Sequence, residues 1–274
     1  MKKAFAPVLC ALTALSSCLD PALTRDEAQD AVDSITLATS AETLGYDVIE
    51  ISTQFTLGKA VEQAAEQLRS FAVSQIPCSN VSLLGTTITV DFGGLDDACT
   101  YRGHTYAGVV QYTVEAASGM LQVHHEWLGL SNGTTTVDGS ADVTWTGADA
   151  TRHVSYHITA TSTDQPGTLD MSGAITQTLL DQTPSLTGGT GGGIEINGTR
   201  EWFIQEGDTW KLDVEHVQAR AQDPVPQAGR YRLTTPSDKE VTMTFGRISA
   251  TEIRVTVVGP RNRTYEIDVF SLGN

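Results

Sequence analysis

The residues with the widest chemical reach in this chain are its histidines, its cysteines and four tryptophans. His153 and His157 share one parity of an alternating segment, and His124 occupies the polar parity of another. A metal ion needs ligands at about 2 Å, whereas residues four apart on a strand lie roughly 13 Å apart, so these three read as solvated surface histidines. His125 differs, because it shares parity with Val123 and Trp127. It is either a hydrogen-bonded core residue or a polar group in a ligand cavity. Trp127, Trp145, Trp202 and Trp210 fall at or near core-facing positions, where filling the core is the default role of an indole. No GxSxG, no HExxH and no cysteine with an evident histidine base is present, and Asp96-Asp97 sits in a turn. The Gly188-Gly189-Thr190-Gly191-Gly192-Gly193 run lacks the Lys-Ser or Lys-Thr of a phosphate loop and reads as a connection between strands. No catalytic residue, metal ligand or cofactor is assigned on these grounds; an enzyme whose groups are assembled only by folding stays open.

Two kinds of element must position these side chains. From Thr86 onward the apolar period is two: Ile88, Val90 and Phe92, then Val110, Tyr112 and Val114, then Val154, Tyr156 and Ile158 alternate with polar neighbours, and the pattern runs on through Tyr265, Ile267 and Val269. Asn132-Gly133, Asp164 to Gly167 and Gly259 to Asn262 supply turns. Asp138-Gly139 reads as a bulge, since a turn there would leave too short a strand before it. The expected fold is mainly β, a long antiparallel meander of about a dozen strands, curved or sandwiched, with one or two N-terminal helices on its apolar face. The chain reads as organised around a helix over Leu57–Ile76, whose Leu57, Val61, Ala64, Ala65, Leu68, Ala72 and Ile76 form one stripe, with Thr56 as its N-cap and Pro77 ending it. An earlier helix is expected over Arg25–Ala38, opened by a Thr24…Glu27 capping box, with Asp47–Thr53 a weak strand or connector. A cavity between helix and sheet would be lined by Leu57, Val61, Leu68, His125, Trp127 and Trp145.

The N-terminus carries the most specific signal. Lys2 and Lys3 precede the apolar run Ala4–Leu15, and Leu15-Ser16-Ser17-Cys18 follows. This resembles the lipobox of bacterial lipoproteins, which implies cleavage before Cys18 and an acylated Cys18 anchored in a membrane leaflet; the alternative is an ordinary cleaved signal peptide with a chance cysteine. No later run approaches the roughly 18 apolar residues that span a bilayer, so the lipid would be the anchor. Leu19, rather than the Asp that retains enteric lipoproteins in the inner membrane, points to the outer membrane. Cys10 would leave with the signal peptide, and Cys78 and Cys99, in an oxidising compartment, are then expected to pair; a zinc site lacks the usual ligand spacing. The organisation that follows is a signal peptide over 1–17, a tether over 18–23, a helical segment over 24–85, a β domain over 86–222 and C-terminal strands over 223–274 continuous with it.

The segment Thr87–Val114 resembles a group of uncharacterised bacterial lipoproteins, through Asp91-Phe92-Gly93, Cys99, Gly103, Gly108 and Val110, with His104 where a basic Arg or Lys is expected. The resemblance implies a repetitive β-rich exported domain and brings no known activity. A formal charge of −16 without a basic patch argues against nucleic acid. The leading reading is a lipid-anchored envelope protein that binds or scaffolds other envelope proteins without catalysis. The second is a carrier or sensor of a hydrophobic ligand, similar in architecture alone to the half-barrels of periplasmic lipoprotein carriers. The third is an envelope enzyme.

Overall fold

The computed structural model describes residues 22–52, 60–97, 99–101, 104–117, 120–146, 151–163, 167–180, 193–204, 208–220, 223 and 225–270. Helix α1 spans Arg25–Ser52 and α2 spans Val61–Gln75. The strands are β1 (Asn80–Leu84), β2 (Thr87–Asp91), β3 (Cys99–Tyr101), β4 (His104–Ala117), β5 (Met120–Ser131), β6 (Thr135–Thr146) and β7 (Thr151–Ser162). They continue as β8 (Thr168–Leu179), β9 (Ile194–Ile204), β10 (Asp208–Ala219), β11 (Ala228–Thr234), β12 (Glu240–Ser249), β13 (Glu252–Gly259) and β14 (Arg263–Phe270). The result is one 14-stranded antiparallel meander that does not close, running from β1 and β2 through β4 to β14 in sequence order, with β3 paired to the start of β4.

Strand parity decides which face is buried. In β7, Val154, Tyr156, Ile158 and Ala160 are buried while His153, Ser155 and His157 are exposed, as alternation across a one-sided sheet requires. β10 pairs with β11 from Lys211↔Thr234 to Gln218↔Ala228, so the sheet runs unbroken past the 220–227 connection. The bulge expected at Asp138-Gly139 is present, and its extra residue lies on the partner strand. Leu128 and Gly129 stand between the pairs Trp127↔Gly139 and Leu130↔Val137. The Gly129 N–H, at φ +59°, donates to Asp138 Oδ1 at 2.7 Å.

The helices depart from the sequence expectation. The capping box forms, with Thr24 N donating to Glu27 Oε2 at 2.9 Å and Glu27 N to Thr24 Oγ1 at 3.2 Å. The helix it opens does not stop at Ala38. Ala41, Leu44, Val48 and Ile49 continue the buried stripe of Ala28, Ala31, Val32, Ile35 and Ala38, so the stretch read as an extended connector is helical through Ser52, with Thr53 outside the described residues. The β-branched Val48 and Ile49 favour strand locally, and their burial outweighs that preference. α2 begins later than expected, with Ala60 as its N-cap and no side-chain cap. Thr56 and Leu57 lie outside the described residues. Ile76 N still closes on Ala72 O at 2.9 Å before Pro77, and Cys78 is disulfide-bonded to Cys99, tying the end of α2 to β3.

The contacts of α1 and the residues just before it run in the reverse of strand order. Tyr265 Oη of β14 donates to Leu23 O at 3.0 Å, just before the helix. Lys239, ahead of β12, pairs with Glu27. Val32 and Ile35 face Met243, Phe245 and Val255 of β12 and β13. Trp202 Nε1 of β9 donates to Ser34 Oγ at 2.9 Å, and Arg200 of β9 and Tyr156 of β7 both reach Glu42. The Trp127 indole of β5 lies 3.4 Å from where a Cβ on Gly45 would stand, and Tyr112 Oη of β4 donates to Val48 O at 3.3 Å. Both helices and the sheet share one buried cluster.

Candidate functional site

Two polar constellations sit inside this cluster. The first surrounds His125 on β5, which the period-two pattern turns inward with Val123 and Trp127. Its ring meets Tyr112 edge-on, with centroids 5.3 Å apart, and Trp127 at 6.3 Å. Burial pushes the imidazole pKa down from 6.5 to about 3, against hydrogen bonds to the Ala141 and Val123 backbone that favour its charged form. The same burial holds the Tyr112 phenol well above 10. The ring stays neutral and packs beside Tyr112 and Trp127.

The second constellation was not singled out from the sequence. Glu42 on α1 and Arg200 on β9 are each only 4% exposed. Arg200 Nη2 lies 2.8 Å from Glu42 Oε2, while Tyr156 Oη donates to Glu42 Oε1 at 2.7 Å. Burial, and next the Glu42 charge, raise the Tyr156 pKa well above 10, so the phenol remains a donor. Tyr231 on β11 also hydrogen-bonds the Arg200 side chain. Four residues along β7 from Tyr156, the buried Arg152 donates through Nε to Gln177 Oε1 of β8. These ionisable groups answer one another across the helix and sheet, which is the arrangement of a buried structural network. The signal was available: Glu42 follows Ala38 by one helical turn on the apolar stripe, and Arg152, Gln177 and Arg200 occupy inward parity between apolar neighbours. Patterns that count apolar residues pass over such positions.

The other predicted positions are placed as follows. Leu68 is buried on α2 and Val61 is half-buried. Trp127 is buried and Trp145 half-buried. Leu57 and Cys18 lie outside the described residues. Two crevices flank α1, one beside Val32 and Phe245 and one beside Ala41 and Leu169, each with room for about 10 Å³, the space of a single water. On the outer face each histidine is held by its own partner: His124 Nδ1 by Asp142 at 2.8 Å, His153 Nδ1 by Thr176 at 3.0 Å, His157 Nε2 by Asp170 at 3.0 Å and His216 Nδ1 by Glu195 at 2.9 Å. Among the described residues no group of three or more His, Cys, Asp or Glu side chains is placed to hold a metal ion. No helix among them is long and apolar enough to cross a membrane.

Comparison with protein-family models, with curated proteins and with solved structures returned no match.

Proposed function

We propose that the protein is a lipid-anchored module of the bacterial cell envelope, acylated at Cys18 and carried at the outer membrane, that binds or scaffolds other envelope components without catalysing a reaction. In this reading the sheet curls around α1, which fills its inner face. The contacts support the curl: from Leu23 to Val48 about 25 residues of helix rise roughly 37 Å, while the ten inter-strand steps from β14 to β4 cover roughly 48 Å. A sheet contour longer than the helix beside it fits strands wrapped about a cylinder.

The observation that carries the proposal is the occupancy of the inner face. α1 meets the sheet at β14, β12, β9, β7, β5 and β4 in turn, and the crevices beside it hold about one water each. What remains for recognition is the outer face, rich in Thr, Ser and paired His and Asp side chains. A second reading, a carrier of a hydrophobic ligand, draws on the small residues Ala28, Ala31, Ala38, Ala41 and Gly45 along the α1 stripe. They give α1 little area with which to resist displacement by an acyl chain.

Native mass spectrometry of residues 19–274 exposed to envelope lipid extract separates the two. The binding module is expected to give a clean apo mass; a discrete bound lipid would overturn it in favour of the carrier. Replacing Cys18 with Ser is expected to release the protein from membranes, and continued attachment would refute the lipid anchor.

A further inference from the structure

The chain is strongly acidic, and its cations on the sheet are largely spoken for. Lys211 sits against Glu201, Arg230 and Arg232 against Glu215, Arg247 against Asp223, and Arg254 against Glu266 and Asp268. Arg25, Arg261 and Arg263 are different: all three are exposed, and among the described residues none has a carboxylate partner. They also meet at one corner. Leu23 packs on Gly259 so closely that a Cβ there would stand 2.5 Å from its side chain, and its carbonyl accepts from Tyr265 Oη. Arg25 is two residues beyond Leu23. Arg261 is two residues beyond Gly259, and Arg263 is the strand partner of Gly259.

The hairpin tip adds an independent observation. Arg261 and Asn262 both adopt left-handed backbone, with φ of 60° and 56°. Hairpin turns of this hand favour Asn and Gly, and arginine is disfavoured there. The chain thus keeps a guanidinium at the tip against its backbone preference. Of the nearby carboxylates, Glu27 is held by Lys239 and Thr24, and Glu266 by Arg254.

We propose that this arginine corner docks on the anionic phospholipid headgroups of the leaflet that holds the acyl chains of Cys18, so that the domain meets the membrane by the start of α1 and the β13–β14 turn. The inference rests on the lipid anchor proposed above. Ala22 lies four residue steps beyond Cys18, a reach of at most about 14 Å, so the anchor brings the start of α1 and the corner beside it close to the surface. Acyl insertion with a basic patch is the two-signal arrangement that fixes a peripheral domain.

The test uses the mature acylated protein in vesicles, with amide hydrogen exchange as the readout. Amides 24–28 and 259–264 are expected to exchange more slowly on vesicles containing phosphatidylglycerol than on pure phosphatidylcholine. That protection should vanish at about 0.5 M NaCl, where the Debye length shrinks to about 4 Å. Each arginine contributes about fivefold to the docked population, so R25Q/R261Q/R263Q should lower it on the order of a hundredfold. R261G relieves the left-handed backbone and is expected to weaken docking while leaving thermal stability equal or higher, which separates docking from folding. Equal exchange on the two vesicle types, or an unchanged triple variant, overturns the proposal. An intact mass lacking acyl chains removes the anchor itself, and this docking with it.

Discussion

Arg200→Met is the perturbation that most directly probes how α1 is held. It removes the guanidinium 2.8 Å from Glu42 and leaves a carboxylate that is 4% exposed, with the Tyr156 hydroxyl still donating to it. With no solvent to screen the remaining charge, breaking such a pair costs about 3–5 kcal/mol. Glu42→Leu strands the guanidinium instead and should cost a similar amount. The double variant leaves neither charge alone. Its cost should fall to about 1–3 kcal/mol, the penalty for phenols that lose their bonds to Glu42 and Arg200, and adding Tyr156→Phe should recover part of that. For a chain of this size each single variant lowers Tm by about 6–20 °C, at about 2–4 °C per kcal/mol. The assay is urea and thermal unfolding followed by tryptophan fluorescence, because Trp202 lies on the same strand as Arg200 and hydrogen-bonds α1. The reasoning predicts strong coupling between the two sites. Additive costs in the double variant, or single variants within about 1 kcal/mol of wild type, would refute it.

Three further outcomes are expected. Removing the Cys78–Cys99 bond by Cys→Ser at both positions frees a loop with a sequence separation of 21 and should cost about 3 kcal/mol in thermal unfolding; an unchanged Tm would show that α2 and β3 stay together without it. His125 stays neutral in the fold because burial lowers its pKa to about 3, so the unfolded chain binds a proton that the folded chain refuses. Stability should be full above pH 6.5 and decline as pH falls, by about 2 kcal/mol near pH 5. His125→Gln should flatten that slope in denaturant titrations, and an unaltered slope would assign it to other groups. Gly139→Ala places a Cβ 2.3 Å from His157 O at φ +142° and should destabilise by more than about 1 kcal/mol. A neutral result in chemical unfolding would mean that β6 and β7 separate there at little cost.

Much of the sheet was legible because its determinant is local. The alternation of Val154, Tyr156 and Ile158 with His153, Ser155 and His157 already places one set inside and the other outside. The extent of α1 was not legible, since Val48 and Ile49 carry the β-branched signature of a strand and only their burial in the fold reveals them as one more turn of a buried stripe. Glu42 and Arg200 escaped for a related reason. Each looks like a polar interruption of an apolar pattern until folding sets the other opposite it. The inward parity of His125 was readable from Val123 and Trp127, but the depth of its burial depends on α1 and β4 and is a property of the assembled core.

The crossing of α1 over the strands imposes a direction on folding. The helix is synthesised before the strands, yet its N-terminal end rests beside β14, the last of the described strands in chain order. Each strand needs only its sequence neighbour for pairing, so the sheet can grow as the chain lengthens. The helix is then covered from its C-terminal end backwards, first at Val48 by β4 and last at Leu23 by β14. Until β12 and β13 arrive, Val32 and Ile35 lack the cover of Met243, Phe245 and Val255. An incomplete chain therefore displays an uncovered greasy helix at its own N-terminus, a mark by which chaperones or proteases can tell unfinished copies from finished ones.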